Sequence, residues 1–501
     1  MYERWPRRGL RSAGDRPSKR GRGHAAWQAR PSTHSEPSGI GRQGASEFGT
    51  TTITVRTVAG GVLLGPEDFP CASLVCALKA RLQAARPGAS VRLFQGTKEL
   101  PSGDTLLSAL QGAEAPLEVS AVFTKTFSVV AWGESRYGGR VPQEAESGVL
   151  QLFSSTGAFA VIKAEGEVCA WGHPAYGGDV GPAASSLSSG VETVCANKNA
   201  FAALKKDASV VVWGNAGFGG RPRPAVVSRL KDVASVASSG QAFAALTKAG
   251  AVVAWGAEVF GGDSTSISSE ISSGVVSLFS TQGAFAALKE GGQVVTWGHP
   301  RHGGDSTRVA VELAGGIKTV FSNTTAFAAL TNSGAVVTWG NGQCGGDMGP
   351  AAAQLRNGVV TVFSSGAAFS AVKEDGSVIT WGQPGEASIA AEHIARGGCC
   401  VKNHVGTAVL VLGSAQAHGD PSSGGHGSNL AVQLAEGVKA VERTSGAFAA
   451  LKEDGSVVAW GTPQLGGDAS PLAKLVSSGI VGLRSTQSAF AALRDVSECA
   501  P

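Results

Sequence analysis

Residues 446–461 read GAFAALKEDGSVVAWG, and copies of this stretch organise most of the chain. Near-copies begin at Gly157 (GAFAVIKAEGEVCAWG), Gln241 (QAFAALTKAGAVVAWG), Gly283 (GAFAALKEGGQVVTWG) and Ala367 (AAFSAVKEDGSVITWG). Phe159, Phe201, Phe243, Phe285, Phe327 and Phe369 recur at a step of 42 residues. Trp171, Trp213, Trp255, Trp297, Trp339 and Trp381 keep the same step, and Trp132 and Trp460 hold the same place in their own units. A period of this length marks a repeat architecture in which each unit buries its apolar faces against its neighbours.

The chemistry of one unit is legible. In Ala447-Phe448-Ala449-Ala450-Leu451 both alternating faces are apolar, which reads as a strand buried on both sides. Asp454-Gly455 is a hairpin signal, because a tight turn needs backbone angles that glycine and Asx residues tolerate. Val457-Val458-Ala459-Trp460 returns as a β-branched, aromatic strand, and a Gly-Gly-Asp turn follows at Gly466-Gly467-Asp468. A strand such as Val275-Val276-Ser277-Leu278-Phe279 leads into the next hairpin, and a weaker fourth strand is expected around Val309-Ala310-Val311. The Trp set (132, 171, 213, 255, 297, 339, 381, 460) is expected to be structural.

At 501 residues the chain has room for more than one domain. Charged residues make up 16% and the net charge is +4, which gives no reason to expect a nucleic-acid or membrane surface on the folded part. The 71 glycines and two methionines suit many short strands joined by tight turns. The eight cysteines show no metal or disulfide spacing, so reduced thiols in an intracellular, cytoplasmic or nuclear, protein are expected. No apolar run approaches the ~20 residues needed to span a bilayer. Residues 1–50 carry nine arginines and one lysine against four acidic residues, among Gly, Ser and Pro. Nothing there could form a core, so a disordered tail is expected, inert, or alternatively a targeting segment or nucleic-acid-binding arm.

Residues 51–123 differ from both flanks. Thr52 to Arg56 alternates as a strand, and Gly60-Gly61 turns before Val62-Leu63-Leu64. From Ala72 to Gln83, Leu74, Val75, Leu78 and Leu82 fall at helical spacing with Lys79 and Arg81 on the other side. Val91-Arg92-Leu93-Phe94 follows as a strand, then a helical turn from Leu106 to Leu110 and a last strand from Leu117 to Val122. This order, with Lys98-Glu99-Leu100-Pro101-Ser102-Gly103-Asp104-Thr105-Leu106, resembles ubiquitin over about 70 residues. No Gly-Gly tail follows Val119-Ser120-Ala121-Val122-Phe123, so the resemblance implies an integral ubiquitin-like β-grasp domain rather than a modifier. Such domains dock onto partners through the sheet face, which here would present Phe94 and Val119.

From Phe127 onward the pattern of small-residue strand, D-G hairpin, W-G strand and Gly-rich turn resembles the repeats of the regulator of chromosome condensation family. That resemblance implies a β-propeller over residues 124–501. The repeat is shorter than the family's usual blade, and Gly-Gly-Asp replaces its usual turn. The first unit starts in mid-hairpin at Phe127-Ser128-Val129-Val130-Ala131-Trp132-Gly133, and the last ends in mid-hairpin at Ala489-Phe490-Ala491-Ala492-Leu493. The two halves would complete one blade and remove exposed edges. Eight to nine units are expected, one of them degenerate between 393 and 429 with Leu412 at the Trp position. An open or irregular β-repeat stack is the alternative.

Asp179, Asp263, Asp305, Asp347 and Asp468 recur at the period, so they are spread along the repeats instead of converging on a metal, and bonding of their own turns accounts for them. His418 and His426 read as solvated loop residues. No catalytic constellation, phosphate-binding loop or cofactor motif stands out. The residues between W-G and G-G vary most, and variable loops on a rigid scaffold are where binding specificity resides. They supply the candidate partner-binding residues Arg136, Tyr137, His173, Tyr176, Glu258, Phe260, Arg301 and His302. The expected function is a non-catalytic scaffold or adaptor in ubiquitin-dependent processes, with ubiquitin-system proteins as partners and no cofactor. HERC-type ubiquitin ligases carry similar repeats, but their catalytic HECT domain is not expected here, nor is Cys499 in its short tail expected to substitute for it. The alternative is a guanine-nucleotide exchange factor or regulator of a small GTPase, the founding activity of the repeat family.

Overall fold

The computed structural model describes residues 50–57, 62–70, 75–86, 88–100, 117–384, 399–402, 406–411, 414–419 and 430–496. The expected coil before Thr50, the helical turn at 106–110, His426 and Cys499 lie outside them.

The first elements are β1 (Thr50–Thr57), β2 (Val62–Pro70), α1 (Val75–Ala84), β3 (Ala89–Gln95), β4 (Lys98–Glu99) and β5 (Leu117–Lys125). They form one sheet in the order β2-β1-β5-β3-β4, with β1 and β5 parallel and Val55 opposite Val119. Strand alternation sends Ile53, Val55, Val91, Leu93, Val119 and Ala121 to one face, where Val75, Leu78 and Leu82 of α1 cover them. Val119 is therefore 1% exposed and is not on the open face of the sheet; with Val55 paired beside it, its parity places it under the helix. Phe94 stands on the opposite face, half-buried, with the Arg92 guanidinium 5.4 Å from its ring centroid.

Each regular unit of the following region is a three-stranded antiparallel sheet, for example Val275–Ser280, Ala284–Lys289 and Val294–Gly298. The middle strand is buried on both sides because each face meets a different neighbour. Ala284, Ala286 and Leu288 pack with Phe327 and Trp339 of the next unit, whereas Phe285 and Ala287 pack with Ala242 and Ala244 of the preceding one. This is the blade-on-blade packing of β-propeller repeats, and the architecture is mainly β. The fourth strand expected around Val309 is instead a one-turn 3-10 helix, Thr307–Val309, after which Val311 is 87% exposed. Each sheet thus keeps its W-G strand as an outer edge.

Two sets of backbone hydrogen bonds tie unit to unit. At one end, Thr156 N donates to Lys198 O (2.9 Å), Lys198 N to Gly240 O (3.2 Å), Gly240 N to Gln282 O (2.8 Å) and Gln282 N to Thr324 O (2.9 Å). The same series resumes with Ser445 N to Gln487 O (2.8 Å) and returns to its start with Gln487 N to Thr156 O (2.6 Å). At the hairpin end, Val191 N donates to Gly166 O (3.0 Å) and Val275 N to Gly250 O (3.0 Å).

The termini of the array meet in one sheet. The strand β6 (Phe127–Gly133) pairs antiparallel with Ala489–Asp495, setting Trp132 opposite Phe490 and Val129 opposite Leu493. This is the split blade expected from the two half-hairpins, and with it nine blade units are present among the described residues. In the degenerate unit Gly406–Val411 pairs with Ser414–Gly419, and Thr407 lies opposite His418. In regular units that register position joins Phe to Trp, so His418, not Leu412, takes the Trp position. The loop expected from Ala415 starts later, because Ala415 to Gly419 belong to the strand.

A single residue, Thr126, separates β5 from β6, and both its backbone N (2.8 Å) and Oγ1 (3.2 Å) donate to Gly88 O. Lys125 pairs with Asp495, the last residue of the closing strand. Lys79, expected on the solvated side of α1, is 6% exposed, and its ammonium lies 3.7 Å from the Glu165 carboxylate at a hairpin turn. The polar side of the helix is thus directed at the first repeat. No helix among the described residues is long and apolar enough to cross a membrane.

Candidate binding rim

The variable stretch after each W-G folds as one turn of 3-10 helix: Ser135–Tyr137, Pro174–Tyr176, Ala216–Phe218, Glu258–Phe260, Pro300–His302, Gly342–Cys344 and Pro463–Leu465. Each ends on a glycine in the left-handed region, such as Gly177 (φ 90) or Gly303 (φ 93), which an L side chain rarely adopts. That glycine's carbonyl accepts the indole N–H of the next unit, Trp213 onto Gly177 (3.0 Å) and Trp339 onto Gly303 (3.0 Å). A second pin comes from the inner turn: Ser155 Oγ donates to Tyr176 O (2.8 Å), Thr281 Oγ1 to His302 O (2.9 Å) and Thr486 Oγ1 to Tyr137 O (3.0 Å). Loops held at two points present their variable side chains on a rigid rim.

The rim brings the candidates together in two groups. Tyr137, His173 and Tyr176 join across adjacent units, with ring centroids 5.5 Å (Tyr137–His173), 6.1 Å (Tyr137–Tyr176) and 5.1 Å (His173–Tyr176) apart. Phe260 meets His302 at 6.4 Å and His299 at 6.0 Å, and the two imidazoles lie 4.5 Å apart. Arg136, Glu258 and Arg301 are exposed beside these groups, and Glu258 lies 4.0 Å from Arg223. Phe94 belongs to the N-terminal sheet, and Val119 to its core. His299 was not singled out from the sequence, although it holds the place of His173 in its own unit.

Two inner-turn glycines make room for the rings. A Cβ on Gly157 would lie 2.8 Å from Tyr176 Cγ, and one on Gly283 would lie 2.3 Å from His302 Nδ1. That Nδ1 is buried and has no hydrogen-bond partner among the described residues. Burial holds the His302 imidazole below its ordinary pKa, and His299 and Lys198 add to the effect. His299 Nδ1 accepts from Arg301 N (3.2 Å), which leaves its proton on Nε2 and that nitrogen unsuited to a metal.

Inside the rim, the inner turns surround a recess of about 890 Å3 lined by Ser154, Thr156, Lys198, Gln282, Arg443 and Gln487 among others. They stand at the inner ends of the first strands and in the turns that follow, and their identity varies from unit to unit. The period-matched Asp residues bond their own turns, Asp179 accepting from Gly181 N (2.8 Å) and Asp468 from Ser470 N (2.8 Å). Among the described residues no three His, Cys, Asp or Glu side chains converge on a metal position. Burial first, then the Glu167 carboxylate, pushes the Cys169 thiol up to about 11, so it is protonated at neutral pH.

No family model and no curated protein matches the chain. Solved structures that it is similar to include Prp20p from Saccharomyces cerevisiae, a protein that binds Gsp1p and histones (14% identity; 74% of this chain and 91% of that one; TM-score 0.33). Others are the ectodomain of the receptor kinase CR4 from Physcomitrella patens (14% identity; 64% and 76%; TM-score 0.34) and human WBSCR16 (13% identity; 74% and 99%; TM-score 0.32).

Proposed function

We propose that the chain is a non-catalytic protein-interaction scaffold that acts as an adaptor in ubiquitin-dependent processes of the cytoplasm or nucleus. On this reading residues 51–123 are a ubiquitin-like domain, and residues 124–501 are repeats of the chromosome condensation regulator type. The observation that carries it is the position of Phe94. It lies on the open face of a sheet with order β2-β1-β5-β3-β4, while α1 on the other face is directed at the repeats through Lys79 and Glu165. A β-grasp sheet held this way offers one face to a partner. Its last strand runs through Thr126 straight into β6, so it acts as a fixed module and not as a conjugated tag. The rim residues Arg136, Tyr137, His173, Tyr176, Glu258, Phe260, Arg301 and His302 form the second contact surface of the scaffold.

The test is affinity capture with the full chain and its Phe94→Asp variant, read by mass spectrometry. Recovery of proteasome or ubiquitin-ligase subunits by the first and their loss from the second is expected. Recovery of a small GTPase in its nucleotide-free form, unaffected by Phe94→Asp, would replace this reading with the exchange-factor one.

A further inference from the structure

Residues 221–231 read RPRPAVVSRLK, four cations and no acid, in the stretch that follows the Gly-Gly turn of one unit. No other unit places more than one cation there, and the charged residues of the next unit's stretch are the carboxylates Asp263 and Glu270. Where five units have Asp after Gly-Gly, this one has Arg221. The fold does not ask for the cations. The stretch is extended at Arg223, makes one helical turn at Pro224–Val227 and is anchored by Leu230, which is buried in the core with Phe243. Arg221, Arg223, Arg229 and Lys231 all stay exposed, where like charges this close together repel one another. The other units cover the same place with hydroxyls, with apolar residues or with charges of both signs.

These cations border a groove of about 590 Å3 between this unit and the next. Arg221 and Arg229 line it from the first unit, and Ser264, Ser268 and Ser272 from the second. The two carboxylates in its lining are already engaged. Glu258 lies 4.0 Å from the Arg223 guanidinium, and Asp263 accepts from Thr265 N (2.9 Å) and from the Thr265 hydroxyl. The side chains of Arg221 and Arg229 make no ion pair or hydrogen bond among the described residues. We infer that this outer groove binds an acidic peptide segment of a partner protein, with Arg221 and Arg229 receiving its carboxylates and the three serine hydroxyls bonding its backbone. Val227, 49% exposed on the same helical turn, adds an apolar contact. The inference rests on reading the repeats as a binding platform, and it names the chemistry of one partner. With Glu258 and Asp263 in the lining, a continuous run of phosphates would be repelled, whereas a peptide can space its carboxylates to meet the two guanidinium groups.

The test uses the full chain and a fluorescein-labelled oligo-glutamate peptide, followed by fluorescence polarisation at several salt concentrations. Binding that weakens with salt is expected, and the double variant Arg221→Glu/Arg229→Glu should weaken it by about tenfold or more. The control Arg308→Glu/Arg356→Glu makes the same change of charge in the corresponding stretches of two other units and should leave the affinity unchanged. A benzophenone-bearing copy of the peptide should crosslink within residues 221–231 or 264–272. Equal affinities of the two double variants, crosslinks confined to the arginine-rich residues 1–49, or tighter binding of single-stranded DNA than of the peptide would overturn the site. Absence of peptide binding while capture of partners through Phe94 persists would overturn it too, and would leave the scaffold reading standing.

Discussion

Trp132 stacks on Phe490 with their ring centroids 5.4 Å apart, joining the first strand of the repeat region to its last. The pair does what Phe285 and Trp297 do inside a single hairpin, at 5.3 Å, but it spans the entire array. The Trp132 indole also donates to Gly466 O at 3.0 Å, so the closing blade is held to its other neighbour by the same bond that Trp171, Trp213, Trp255, Trp297, Trp339 and Trp381 make.

Truncation after Lys474 therefore removes two strands of the closing blade and leaves Val129, Val130 and Trp132 on an unpaired apolar edge. Such an edge invites association, so the fragment should sediment as aggregates, whereas deletion of residues 1–49 should leave a soluble monomer. A monomeric 1–474 fragment with the melting temperature of the intact chain would contradict the clasp.

Trp297→Ala should lower stability by about 3–5 kcal/mol, as other buried large-to-small aromatic changes do. Trp297 is 4% exposed and its indole donates to Gly261 O at 3.0 Å, so both packing and a cross-unit bond are lost. Trp297→Phe should keep most of the packing and lose roughly 1 kcal/mol for the hydrogen bond. Urea midpoints of the two variants separate the terms, and a Trp297→Phe midpoint equal to that of the unsubstituted chain would show the indole bond to be immaterial.

Ala208→Gly should raise stability by roughly 1 kcal/mol. Ala208 has φ 63 at the hairpin position where other units carry Gly166, Gly250, Gly292, Gly334, Gly376 and Gly455, and its carbonyl accepts from Val233 N at 2.9 Å. Left-handed backbone costs an L residue, and at Gly166 a Cβ would come within 2.7 Å of the next unit's backbone. A lower urea midpoint in the variant would show that the alanine methyl packs better than its backbone is strained.

Acidification should loosen the Pro300–His302 turn. Because the His302 pKa is lowered in the folded state, the unfolded chain takes up the proton first. Its contribution is complete above about pH 6.5, the ordinary imidazole value, and is lost as pH falls from there through the folded value. His302→Tyr copies the Tyr176 arrangement over Gly157 and should remove this component of the pH dependence. Hydrogen exchange at residues 300–304 in the wild type and the variant checks it; identical pH profiles would exclude His302 as the source.

The local chemistry of the chain was sufficient for much of the fold. The 42-residue step, the doubly apolar Ala-Phe-Ala-Ala-Leu strand and the two half-hairpins were enough to place the strands, the buried tryptophans and the split blade. These features depend on periodicity and on bonds between near neighbours in sequence, such as Asp179 with Gly181. What escaped depends on which element lies opposite. Val119 could face either way until β1 paired beside it, and Lys79 reads as solvated until a repeat stands against its helix. The sequence pattern points to Leu412 as the Trp position, but strand register puts His418 there. The grouping of Tyr137 with Tyr176 follows from the curvature of the packed blades. A one-dimensional period states that such positions are equivalent, but only the stacking angle between units decides which of them meet.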